Sequence, residues 1–134
     1  MRKRTCLVCL VALALLVSAT TSVSHHSFPA EFDSTKPVKF TGKLTKIEWT
    51  NPHAWLYVDV EDAQTGTVTK WAIELGSPNG LSRLGWTRNL LTINETISVE
   101  GFLGRNKPNL ANAASVTLTR TGQKLGAASS VGNR

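Results

Sequence analysis

The sequence predicts an all-β domain closed into a small barrel. Two observations predict the class: apolar and polar residues alternate with a period of two in successive stretches, and helix signals occur only once, briefly. Length supports it, since removing a leader of 24 from the 134 residues leaves 110. That is enough for one domain with a single modest core.

The first strand is read in "VKFTGKLTKIEW", where Val38, Phe40, Gly42 and Leu44 share one face. The apolar side then passes to Ile47 and Trp49, an offset that predicts a bulge near Thr45–Lys46. After "TNP" the alternation resumes in "HAWLYVDVED", with Ala54, Leu56, Val58 and Val60 on one face. "AQTG" is a turn, and "TVTKWAIEL" gives a third strand alternating Trp71, Ile73 and Leu75 against Lys70, Ala72 and Glu74. Ser77 as cap, Pro78 at the first helical position and Gly85 as stop frame one short helix. "NETISVEGFLG" and "ANAASVTLTR" give strands four and five, the latter placing Ala114, Val116 and Leu118 inward.

A three-stranded meander, a short helix between strands 3 and 4, and two further strands predict a small five-stranded OB-like Greek-key barrel. Gly42 and Gly101 are its candidate corners. A β-sandwich competes, but seven or more strands are expected there. The predicted organisation is a leader over 1–24, an N-terminal arm over 25–37, the barrel over 38–120 and a flexible tail over 121–134.

The leader is read as a signal peptide. Arg2, Lys3 and Arg4 precede an apolar run from Cys6 to Val17, and small residues follow. The run is short of the roughly 20 apolar residues a membrane span requires. Cleavage after Ala19 or after Ser24 satisfies the small-residue rule, and the expected location is periplasmic or secreted, without a membrane anchor after cleavage. Cys6 and Cys9 both lie in the leader, so the mature domain has neither a disulfide nor a thiolate ligand. Loss of the three leading basic residues lowers the net charge from +6 to +3, too small and scattered an excess to argue for nucleic acid.

No nucleophile elbow, phosphate-binding glycine loop, His-Glu-x-x-His or paired-carboxylate site occurs, so enzymatic activity ranks behind binding. His25, His26 and His53 are the only histidines, two on the arm and one entering strand two. Imidazole suits Cu(II), Zn(II) and Ni(II), with Cu(II) leading for a given nitrogen site. If the arm folds back over the strand 1–2 loop, the three residues form a copper site. Cleavage after Ser24 would add the α-amine of His25, which titrates near ~7.7–8.0 and yields its proton readily to a metal. The alternative is an adjacent pair serving as a solvated spacer, with a hydrogen-bonded structural His53.

Trp49, Trp55, Trp71 and Trp86 are the other conspicuous set. Exposed rings stack on ligands, whereas a small barrel uses large rings to fill its core, the expected role for two or three of them. In "GSPNGLSRLGWTRN", Ser77, Arg83 and Arg88 offer an anion site or, more simply, a connection that plugs one end of the barrel.

"HHSFPAEFD", "EWTNPHAW" and "GSPNGLSRLGWTRN" together, in this order and spacing, resemble an exported bacterial family of unknown function, DUF6152. The likeness covers about residues 25 to 125 and implies a β-rich, signal-bearing domain. The family's paired histidines fall on His25 and His26, and that of its NPHAW stretch on His53. Pro29 stands where the family more commonly has alanine. The resemblance names no activity.

Two functional readings follow. One is a Cu(II) module using His25, His26 and His53. The other is a non-metal module that binds a periplasmic protein partner or small ligand through Trp49, Trp55, Trp86 and the Ser77–Arg88 connection, where Ser77, Arg83 and Arg88 lie.

Overall fold

The computed structural model describes residues 27–128. They form an all-β fold of six strands and two short helices: α1 (Phe28–Glu31), β1 (Phe32–Glu48), β2 (Trp55–Glu61), β3 (Val68–Glu74), α2 (Pro78–Arg83), β4 (Thr96–Gly104), β5 (Leu110–Leu118) and β6 (Lys124–Gly126). The sheet order is β3-β2-β1-β4-β5-β6, with β3 also pairing β5. The pairings therefore run in a cycle from β1 through β2, β3, β5 and β4 back to β1. All are antiparallel except β3–β5, which is parallel.

β1 is long because it serves two partners in succession. Phe32–Lys43 pairs with β4, and Lys43–Glu48 pairs with β2. Its register against β2 shifts between Leu44 and Lys46, at the bulge the sequence predicts. Pro37, which has no N–H to give a ladder, sits at a second irregularity between Asp33 and Pro37. Two glycines allow close approach of strands. A Cβ at Gly42 would lie 2.5 Å from the Asp59 carbonyl oxygen, and one at Gly101 only 2.1 Å from that of Asn112.

The inward set matches the alternation closely. Leu44, Leu56, Val58, Ile73, Ile97 and Val116 are fully buried. At one end α2 contributes Leu81, and Trp86 follows it into the core. Ser77 caps α2 by accepting from the Gly80 N–H at 3.2 Å, and Pro78 occupies the first turn as expected. Ala114 differs from the expectation: it is exposed, because Glu100 pairs Ser115 while Gly101 pairs Ala113. Ala114 is thus the extra residue of a bulge, and the inward face shifts by one there.

The ends of the fold also differ from the five-strand reading. From Phe28 onward the arm is part of the structure: Phe28 and Phe32 stack at 5.4 Å, and Arg105 Nε donates to the Pro29 carbonyl at 2.8 Å. Asp33 accepts from Thr35 and from Arg105 Nη1, contacts that hold its carboxyl below the usual range. Past residue 121, Leu125 and Ala127 are buried and β6 pairs β5, a sixth strand where a fraying tail is expected. The apolar alternation there spans only two residues in a small, polar stretch, too short to read as a strand.

Candidate functional site

One cleft stands out, with a volume of about 1170 Å³. Its rims are the β1–β2 loop, through Thr50 to His53, and the β4–β5 loop, through Asn106 to Asn109. Trp55 of β2 and Ala72 and Glu74 of β3 lie between them, while Phe28, Glu31 and Phe32 close one side.

Local hydrogen bonding places these parts. The β2–β3 ladder continues beyond both strands, with Ala54 N–H donating to the Gly76 carbonyl and Leu75 N–H to that of Ala54. This sets His53 beside Leu75. Thr50 Oγ1 donates to the His53 carbonyl at 3.1 Å, and the intervening Asn51–Pro52 peptide is cis. On the opposite rim Ala72 N–H donates to the carbonyl of Asn109, a residue at φ 54°. Arg105 N–H donates to the Glu31 carbonyl, so α1 is fastened to the β4–β5 connection.

The polar part of the cleft is built on His53 and Glu74. His53 Nδ1 lies 3.0 Å from the Leu75 carbonyl oxygen. A carbonyl only accepts, so Nδ1 is the donor of this contact, and Nε2 is the ring nitrogen that it leaves unused. The same Nδ1 is 3.5 Å from Glu74 Oε1, which also accepts from Asn112 Nδ2 at 3.3 Å. Glu74 is only 7% exposed. Burial, joined by the nearby negative charge of Glu31, pushes its carboxyl above the usual range against the opposing pull of His53 and Asn112.

The residues singled out from sequence divide clearly. His53, Trp55 and Ser77 line the cleft. Trp49 instead packs at the core margin, its ring 6.4 Å from that of Trp86. Trp86 is 2% exposed and donates its indole N–H to the Gly126 carbonyl, so it is a core residue and presents no ring to a ligand. Trp71 stacks on Phe40 at 4.5 Å. Arg83 and Arg88 are exposed and stand outside the cleft lining. His25 and His26 lie outside the described residues. Among the described residues no group of three His, Cys, Asp or Glu side chains is placed to hold a metal ion.

Sequence reading missed Glu74, Glu31, Phe28 and Phe32. Alternation assigns Glu74 to the outward face, which is correct for β3 by itself. β5 crosses beside it, pairing Glu74 with Asn112, and converts an outward carboxylate into a buried one. The only available signal was an acid embedded in the apolar stretch "WAIEL".

The described residues thus form a small all-β fold with a recessed, aromatic-walled cleft that holds a buried carboxylate. The chain belongs to DUF6152, described as a family of unknown function, whose model matches residues 12–112. A comparison with curated proteins finds no match.

Proposed function

We propose that the protein is a ligand-binding module built on an OB-like Greek-key barrel, and that a small molecule enters the cleft between the β1–β2 and β4–β5 loops. The observation that carries this reading is the cleft itself, about 1170 Å³ and lined by Trp55, His53 and Glu74. Ligand sites combine concave apolar walls with a few convergent polar groups, one of them often with a shifted pKa. Five-stranded barrels of this kind hold ligands on the strand 2–3 face between those same two loops. That last support is an analogy of fold. A periplasmic or secreted location belongs to the same proposal and rests on the basic start and apolar run of residues 1–24.

The test is a fragment screen by two-dimensional ¹⁵N–¹H NMR. Binding should shift the Trp55 indole and the Ala72 and Glu74 amides while leaving the buried Trp86 indole in place. A chemically diverse panel that moves none of the cleft resonances at millimolar concentration would overturn the reading.

A second reading is favoured by the His53–Leu75 contact. Metal-bound histidines usually give their other ring N–H to a carbonyl or carboxylate, as Nδ1 does here, leaving Nε2 to ligate. A copper site on Nε2 requires His25 and His26, which precede Ser27 and the cleft residue Phe28. Nanomolar Cu(II) affinity lost in His53→Ala would support it. Millimolar affinity unaffected by the substitution would exclude it.

A further inference from the structure

The geometry points to a neutral saccharide as the ligand of the cleft: a short chain of sugar rings with a C–H face on Trp55, its hydroxyls between Asn51 on one rim and Asn106 and Asn109 on the other. This rests on the cleft being a binding site, and narrows what it binds.

Charge is the first argument. The titratable side chains of the lining are Glu31, Glu74, His53 and Lys107. Glu74 faces His53 at 3.5 Å, and burial holds its carboxyl above the usual range. Glu31 has an interaction of its own. Lys107 is exposed on the rim loop, where water screens it. An anion would meet the buried carboxyl of Glu74 with only that screened lysine to offset it. A cation would compete with His53 for the same carboxyl oxygen. The lining favours neither sign.

The second argument is the hydrogen-bonding capacity that remains, which is neutral. Asn51 stands on the β1–β2 rim, and Asn106 and Asn109 on the β4–β5 rim, all three exposed. Among the described residues nothing bonds their side-chain amides or the indole N–H of Trp55. Each amide offers two donors and two acceptor sites. Vicinal hydroxyls, which donate and accept alike, match that set. A hydroxyl also satisfies His53 Nε2, the nitrogen left unused by the Leu75 contact, in either protonation state. Both rims are fastened, since Thr50 Oγ1 donates to the His53 carbonyl and the Asn109 carbonyl accepts from Ala72 N–H. The amides therefore ride on anchored backbone, and binding orders less of the chain.

Third, Trp55 supplies a platform. It lies opposite Glu74 in the β2–β3 ladder, so its side chain shares the cleft face of the sheet. Phe28 already stacks on Phe32 and meets Phe102 edge-on, whereas among the described residues no ring stacks on half-buried Trp55. The negative face of an indole attracts partially positive C–H groups, which one face of a pyranose presents in a row. At about 1170 Å³ the cleft exceeds the roughly 300–1,000 Å³ of ordinary small-ligand pockets, which suits several rings better than one.

The experiment is a ¹⁵N–¹H NMR titration of the intact protein with cellotriose, maltotriose and chitotriose, and with trigalacturonate and 2-naphthylmethanol as anionic and apolar comparators. At least one neutral trisaccharide should shift the Trp55 indole and the side-chain amide signals of Asn51, Asn106 and Asn109. It should bind about tenfold more tightly than trigalacturonate. Trp55→Ala should weaken that trisaccharide about tenfold. Asn106→Ala, at an exposed rim position, should weaken it about fivefold with no change in melting temperature, and carries the comparison should Trp55→Ala fail to fold. If 2-naphthylmethanol moves the cleft resonances and no trisaccharide does, or if trigalacturonate binds most tightly, the neutral-saccharide assignment falls while the cleft reading stands. Trisaccharide binding that neither substitution weakens overturns it as well. If no probe moves a cleft resonance, both fall.

Discussion

Trp86 and Gly126, forty residues apart, are joined by a hydrogen bond from the indole N–H to the backbone carbonyl at 2.8 Å. The bond ties the connection after α2 to β6. It also satisfies the one polar atom of a ring that is otherwise core.

Trp86→Phe should therefore destabilise the fold by about 2 kcal/mol, from lost ring volume together with an orphaned carbonyl. Urea unfolding followed by circular dichroism measures it. Hydrogen exchange should show the Leu125 and Ala127 amides losing protection first, since β6 depends on that contact.

Glu74 should cost stability at neutral pH. Its folded carboxyl titrates above the unfolded value, so the fold holds a proton that the unfolded chain has already released. Stability is then greatest below the ordinary carboxylate value of 4.5 and declines as pH rises through the raised folded value. Glu74→Gln should melt at a higher temperature than wild type at neutral pH, with the gap closing in acid. Paired thermal melts across that range check it, and an unchanged gap would contradict the buried charge.

Glu100 should behave oppositely. Hydrogen bonds and charge from Lys124 and Lys39 hold its carboxyl down to about 2 from an ordinary 4.5. The stabilisation is complete above about 4.5 and fades as pH falls toward 2. Glu100→Gln should thus be less stable than wild type at neutral pH and equal to it at the acid limit. The group is half-exposed, so molar salt should shrink the difference.

Much of the fold was legible because burial follows simple alternation. Leu56, Val58 and Ile73 face inward as the pattern says, and Ser77, Pro78 and Gly85 frame the helix they mark. The bulge at Thr45–Lys46 showed as a change of apolar phase. A second bulge, at Ala114, did not, because alanine and serine flank it and carry little hydrophobic contrast. The site was legible in part. His53 and Trp55 are conspicuous residue types, whereas Glu74 becomes functional-looking only through the β3–β5 pairing, a contact between strands separated by a helix and another strand. Trp86 misled for a related reason: a tryptophan in a loop reads as exposed until the loop is seen to fold inward.

The cleft draws on Phe28 at the start of the described chain and on Leu110 at the start of β5, and β1 reaches its β4 partner across pairs such as Gly42 and Ile97. Such distant pairings incur loop-closure entropy before contacts repay it, so folding belongs to the slow, millisecond-to-second regime of β topologies. The walls of the site thus come together only when the chain as a whole has done so. Occupancy and folding are consequently linked equilibria: any molecule held there stabilises the entire domain by mass action, and a shift in melting temperature becomes a general reporter of what binds.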